Sequence, residues 1–559
     1  MKLFKKPLFF LFVIIFIAAI LRLYDLGKVP HSLNWDEVSL GYNAYSILKT
    51  GHDEYGAFMP VVLRSFDDYK PALYTYFTIP FIGILGLTEF AVRLPSAFAG
   101  ISAVAIVYFL VTELLGNKKI KLLDREIDVS LIALLTSFFL AISPWHIQFS
   151  RIAFESNVGL TLNLLAFFLF LKGLKRNYLL PVAFFVAALN IHMYQSERVF
   201  SPLLMIALSI IFYKKLFKIK RWFLLSLLTA IIVALPLVVY ILNDSRALMR
   251  AKGVSVFSEQ TLVKRSAIKL LENKKTGNIV GKAFDNRRVD FVKATVGGYI
   301  SHFDLNWLFI TGDIARHHAP SMGLLYIFQF PFLFVGIYLL VFLKIDLRYK
   351  IAFFTYFLLV PVPASITSGV PHAVRTLNFA WTWELFIALG VAAVGVFVLK
   401  QKKAFIKNSL RVVALFYILF ALFNFAYYIN QYFVQMNYFT AKDWLFGYKE
   451  AIAYISPIKD QYDKIIVENE VPFDQSYMFF LFYLKVDPYY YQKLGGTDSG
   501  GFKEEHRGFY NFVFKSTRSA SGGKKTLVVG RPGDISGNSS NVKVIYYPDG
   551  TPAIAVGEK

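Results

Sequence analysis

Eleven apolar stretches recur along the chain, near 7–23, 94–115, 129–147, 157–173, 178–194, 200–213, 222–242, 321–343, 351–367, 377–399 and 412–433. Most are separated by short polar segments, many of them basic. A run of about 20 apolar residues matches the hydrocarbon core of a bilayer, and a series of them reads as a polytopic membrane protein. Composition agrees: 56% of the 559 residues are hydrophobic, with 57 Phe and 33 Tyr. Aromatic residues at that density suit lipid-facing surfaces and interfacial belts. The first run follows Lys2, Lys5 and Lys6 and leads into Arg22-Leu23-Tyr24 with no small-residue cleavage site. It is therefore read as an uncleaved span and not as a removed signal peptide.

The formal charge of +23 invites a nucleic-acid reading, which the positions of the charges argue against. The N-terminus and the segments 116–126, 172–177, 214–221, 344–350 and 400–411 carry 23 Lys/Arg against three acids, Asp124, Glu126 and Asp346. The opposite short loops near 148–156, 195–199 and 368–376 carry only Arg151, Arg198 and Arg375. Positive loops stay cytoplasmic. The expected arrangement is a multi-pass plasma-membrane protein, N-terminus inside and C-terminus outside, with membrane lipids and no nucleic acid as its surroundings. Residues 71–87 are apolar enough to cross, but counting them would reverse every later basic loop. They are expected at the interface, a short span being the alternative.

Three extramembrane regions are long: 24–70, within an outer loop that runs to 93 and contains interfacial helices; 243–320; and the tail 435–559. The tail has strand-like pieces at 464–467, 526–529 and 542–545 among Gly-rich turns at Gly495-Gly496 and Gly522-Gly523, which predicts a small α/β domain. The expected organisation is a transmembrane domain over 1–434 and an extracytoplasmic domain over 435–559. There are no cysteines, hence no disulfide framework.

Asn34-Trp35-Asp36-Glu37 carries the most informative polar residues. Residues 36–49 read as a short amphipathic helix with Val38, Tyr42, Tyr45 and Leu48 on one side. The acid pair then sits at its start, where a carboxylate serves either as a general base for a hydroxyl or as a favourable partner of the helix dipole. Lys70, just before Pro71, is placed either to hold a lipid phosphate or to snorkel at a helix end. Arg93 either anchors a phosphate or marks the interface. The loops holding Arg151 and Glu155, His192 and Arg198, and Arg375 all fall on the same outer face, which suggests a shared cavity. No Glu/Asp/His spacing, including that of His302, His317 and His318, is specific enough for a metal site. Nucleotide-binding glycine motifs, H-E-x-x-H and G-x-S-x-G are absent from the sequence.

In order along the chain stand the Asp36-Glu37 pair, Tyr42-Asn43-Ala44-Tyr45, Lys70-Pro71, Ala91-Val92-Arg93-Leu94-Pro95-Ser96-Ala97 and Ser143-Pro144-Trp145-His146-Ile147-Gln148-Phe149-Ser150-Arg151. This series resembles the GT-C glycosyltransferases of the family 39-like kind, relatives of protein O-mannosyltransferases and of the aminoarabinose transferases of lipid A. The resemblance covers about 7–200, weakens to about 430, and leaves the tail unmatched. It implies an all-α polytopic fold of about 11 transmembrane helices with the small α/β domain appended. It also implies a transferase using a polyprenyl-phosphate sugar donor, with a protein, glycan or lipid acceptor. In this resemblance Asp36 is the base with Glu37 beside it, Lys70 meets the lipid phosphate, and Glu155, with Arg151 and His192 in neighbouring outer segments, supplies the second acidic group. Ser156-Asn157 departs from the family's R-x-x-x-D run. Arg93, Arg198 and Arg375 are assigned to the donor phosphate from their sidedness. Cofactor use is expected to be nil or a divalent cation. The competing readings are a flippase for lipid-linked sugars and a non-catalytic envelope assembly protein.

Overall fold

The computed structural model describes residues 7–66, 68–116, 118–248, 253–497, 508–519, 525–535, 537 and 539–559. Lys2, Lys5, Lys6, Asp67 and the Gly522-Gly523 turn lie outside the described residues. Each of the eleven apolar stretches contains helix, though 321–343 is helical only from Ile327 and 178–194 only to Asn190. Five helical segments are long and apolar enough to cross a membrane: Glu89–Leu115, Glu155–Gly173, Lys220–Asn243, Leu377–Lys400 and Ala404–Phe439. A sixth is counted if the pair Val129–Ile142 and Pro144–Ser150, bent by 59°, is one span. The bend falls where Pro144 brings no N–H to the helical ladder. Other expected spans are shorter as helices. The one expected at 351–367 stops at Leu359, before Pro361 and Pro363.

Two of the long helices leave nearly bare faces. Leu242 is 80% exposed and Phe416 68% exposed. Rows of such side chains would be unfavourable against water and are at home against lipid tails.

The chain divides into two compact units. One comprises Met1–Arg22, Ala99–Phe149 and Ser156–Tyr428. Its buried centre is the helix Ala380–Lys400, packed on Phe330–Phe342 and Val129–Ile142. Two glycines allow the first of these contacts. A Cβ on Gly336 would lie 1.7 Å from the Phe386 carbonyl oxygen, and one on Gly390 would lie 2.1 Å from that of Phe332. Small residues at helix crossings are how membrane helices approach closely. A short hairpin, Lys119–Leu122 paired antiparallel with Arg125–Asp128, fills the basic segment after Leu115.

The second unit comprises Leu23–Phe98, Ser150–Glu155 and Ile429–Lys559. The long loop after the first helix therefore folds with the C-terminal segment. The tail contains a five-stranded sheet ordered Phe512–Phe514, Lys464–Val467, Thr526–Gly530, Pro552–Glu558, Ser540–Tyr546. The first three strands are parallel and the last two join antiparallel. The helix Trp35–Thr50 packs against Leu73–Leu85 and Ser476–Tyr483. It is not the one-sided interfacial helix expected from Val38, Tyr42, Tyr45 and Leu48. Every residue from Glu37 to Ala44 is buried, and Leu48 is exposed. Small residues on its other faces permit this: a Cβ on Gly41 would meet Val92 at 2.6 Å and Phe482 at 2.7 Å. The apolar stretch 71–87 forms the helix Leu73–Leu85, 13 residues or about 20 Å long. That falls short of a hydrocarbon core of about 30 Å.

Candidate active site

Local sequence positions Asp36. Asn34 caps the helix Trp35–Thr50, its side-chain oxygen accepting from the backbone N–H of Asp36 at 2.8 Å and of Glu37 at 3.0 Å. The Glu37 carboxylate reciprocates by accepting from the Asn34 N–H at 3.1 Å. This capping box satisfies donors that the first helical turn would otherwise leave open. It also turns two adjacent acids to different tasks.

Glu37 is fully buried. One of its oxygens accepts from Arg93 Nε at 2.9 Å and from the Ala153 N–H at 2.9 Å; the other accepts from Arg93 Nη2 at 3.1 Å. Arg93 spends its remaining donors on the carbonyls of Leu26, Pro30 and Ser32. All five guanidinium N–H groups are thus used inside the protein. Glu37, expected beside the base, and Arg93, expected at a phosphate, are thus bonded to each other and to the backbone. The two form a buried ion pair that ties the first loop, the start of a span and the segment 150–155 together.

Asp36 is the accessible member of the pair, with its side chain 24% exposed. It forms an ion pair with Lys70. Lys70 lies on the strand Asp68–Pro71, paired antiparallel with Val62–Ser65 so that Leu63 faces Lys70 in register. The lysine is itself buried. Glu155, also buried, lies within electrostatic reach of both Lys70 and Asp36. Arg151 is buried, donates to the Val29 carbonyl at 3.0 Å and lies 4.7 Å from the centre of the Phe433 ring. Asp36, Lys70, Glu155 and Arg151 thus belong to one compact unit, as do Glu37 and Arg93.

The remaining expected residues belong to the other unit. His192 Nε2 donates to the Val233 carbonyl at 2.9 Å, which occupies one ring nitrogen in a structural contact. Arg375 donates to Thr367 Oγ1 at 2.5 Å and to the Ser368 carbonyl at 2.8 Å. Arg198 differs from both, because its Nε and Nη2 are buried and meet no hydrogen-bond partner. A shielded guanidinium with open donors is an arrangement that an anion completes.

Two features escaped the sequence reading. Glu54, fully buried, accepts from Asn43 Nδ2, Tyr477 OH and Thr497 Oγ1. The adjacent acids Asp53-Glu54 were its only local signal. Among the described residues one group, Asp313, His317 and His372, offers three metal-ligating atoms within 4.8 Å of one another. Its third member is far along the chain, so no spacing rule reports it.

No protein-family profile matches the chain, and no curated protein matches it in sequence. Solved structures do match in fold. ArnT from Cupriavidus metallidurans in the apo state aligns with a TM-score of 0.53 at 12% identity, over 98% of this chain and 97% of that one. The same enzyme bound to undecaprenyl phosphate aligns with a TM-score of 0.53 at 13% identity, over the same shares of both chains. The fold is GT-C. An Archaeoglobus fulgidus oligosaccharyltransferase, tethered to an acceptor peptide containing the NVT sequon, also aligns, with a TM-score of 0.50 at 13% identity over 86% of this chain and 63% of that one. At these identities the likeness is one of fold. The GT-C architecture implied by the ordered motifs is thereby met, small C-terminal sheet domain included.

Proposed function

We propose that this chain is a membrane glycosyltransferase. It moves a sugar from a polyprenyl-phosphate donor to an acceptor at the outer face of the membrane, with Asp36 as the base. The observation that carries the reading is the Asp36–Lys70 pair: an accessible carboxylate held against a buried lysine, in a GT-C fold whose solved relatives include one bound to undecaprenyl phosphate.

The chemistry follows from charge. In the resting site Lys70 and Asp36 pair with each other. A lipid phosphate entering the site competes for the Lys70 ammonium and frees Asp36 to face the acceptor hydroxyl or amine. The acceptor heteroatom attacks the anomeric carbon and forms the new glycosidic bond. The bond from that carbon to the phosphate oxygen breaks, and its electron pair leaves on the polyprenyl phosphate. Asp36 takes the acceptor proton. Negative charge growing on the leaving oxygen is stabilised by a cation already in place, which is the role of Lys70. One base and one displacement invert the anomeric centre without a covalent sugar–enzyme adduct, unlike a retaining two-carboxylate mechanism. Glu37 and Arg93 serve by fixing the backbone that carries Asp36, and Arg151 by tying the segment that ends at Glu155 to the Val29 carbonyl.

The test is transfer from a panel of radiolabelled polyprenyl-phosphate sugars in membranes containing wild-type chain or Lys70→Ala. The expected result is incorporation from at least one donor, with the KM for that donor raised about tenfold or more in Lys70→Ala, as loss of a charge-assisted bond implies. No incorporation from any member, or an unchanged donor KM in the variant, would contradict the reading.

A further inference from the structure

Away from the Asp36 unit, two loops of the other unit bring a carboxylate and two imidazoles together. Asp313 and His317 lie just after the turn Trp307–Thr311, and His372 lies in the loop before Leu377. The backbone builds the cluster deliberately. Asp313 Oδ1 accepts from the Ile314 N–H at 2.9 Å, and its Oδ2 accepts from His317 Nδ1 at 2.8 Å and from the Ala373 N–H at 2.7 Å. The His317 and His372 ring centres are 5.1 Å apart. The His372 N–H donates to His302 Nε2 at 3.1 Å, and His302 Nδ1 donates in turn to the Gly298 carbonyl at 2.7 Å.

One atom in this arrangement has no hydrogen-bond partner. His372 Nδ1 is buried and bonded to nothing. Buried polar atoms are normally satisfied, and an orphan asks for a ligand. An imidazole lone pair beside a carboxylate and a second imidazole suits a cation better than any neutral group.

We propose that Asp313, His317 and His372 bind a divalent metal ion of the zinc type and so clasp the 302–320 segment to the 370–375 loop. The ligand set is one oxygen and two nitrogens, each offering one atom within 4.8 Å of the other two. Zinc takes such N/O sets tetrahedrally, with bonds of about 2.0–2.2 Å. Calcium and magnesium prefer all-oxygen shells, so they fit less well. The 2.8 Å Asp313–His317 hydrogen bond opens when a metal takes Nδ1, and the Nδ1 proton moves to Nε2 of the same ring. The Ala373 N–H holds the Asp313 carboxylate, and His302 holds the backbone of His372 by accepting from its main-chain N–H. Three protein ligands leave a fourth position for water.

The test uses the full-length chain in detergent, stripped with chelator and titrated with zinc and, separately, with cobalt(II). The expected result is one zinc per chain. Cobalt should give the intense visible absorption of a tetrahedral site. His372→Asn and Asp313→Asn should each weaken zinc binding by about 100-fold. A stripped wild-type chain that takes up no zinc and gives no tetrahedral cobalt spectrum would overturn the proposal and leave a hydrogen-bonded Asp–His pair only. Unchanged uptake in both variants would overturn it as well. The cobalt spectrum is read on wild-type protein, so a variant that fails to fold does not blunt the test. None of these readouts depends on sugar transfer.

Discussion

Adjacent acids in this chain have different surroundings, and the difference is set by what reaches them through space. Glu37 is closed off by Arg93 and two backbone N–H groups, whereas Asp36 keeps an exposed edge beside Lys70. Replacing Glu37 by Gln leaves the Arg93 charge buried without its counter-charge, and breaking a buried pair in this way costs about 3–5 kcal/mol. Glu37→Gln is therefore expected to lower the unfolding midpoint of the solubilised chain by several degrees. An unchanged melt would show that the clamp is unimportant. Glu54 gives a pH dependence instead. Burial pushes its carboxyl up to about 8, although hydrogen bonds from Asn43, Thr497 and Tyr477 favour the charged form. The folded chain then holds a proton that the unfolded chain, with a carboxyl near 4.5, gives up. Stability from this group is present at low pH and falls as pH rises from about 4.5 through 8, by up to about 1.4 kcal/mol per unit. Glu54→Gln should flatten that slope, which melting curves collected between about pH 5.5 and 8.5 would measure. A wild-type slope no steeper than that of the variant would contradict the assignment.

At the scale of elements, long apolar periods and strand-like runs were readable, because each is a local property of the chain. All eleven apolar stretches contain helix, and the strands at 464–467, 526–530 and 540–546 fall where β-branched residues predict them. Phe512–Phe514 and Pro552–Glu558 were missed for local reasons as well: the first is three residues long, and the second begins with Pro and contains two Ala and a Gly. The roles of Glu37 and Arg93 were not readable, since the Ala153 N–H and the Arg93 guanidinium arrive from distant segments. The same holds for His372 beside Asp313. Sidedness is the element-scale expectation with a direct check. The chain has no cysteine, so a single Cys placed at Lys121 in the hairpin Lys119–Asp128 reports alone. The positive-inside distribution predicts labelling there only by a membrane-permeant reagent. Labelling by an impermeant reagent in intact cells would reverse the topology.

For the whole molecule, the loop after the first helix and the tail share one compact unit. The helix bearing Asp36 is buried on nearly all sides by segments from the first loop and from the C-terminal region, so its carboxylate is held on a rigid support. Catalysis by a positioned base requires that rigidity, since proton transfer demands hydrogen-bond geometry. The most direct measurement is a single-turnover transfer assay on purified wild-type and Asp36→Asn chains, with donor binding measured in parallel. The expected result is a rate lowered by about 10²–10⁴-fold in Asp36→Asn, with the fold intact and donor affinity changed by less than the rate. An Asp36→Asn chain that transfers sugar at the wild-type rate would contradict the assignment of Asp36 as the base.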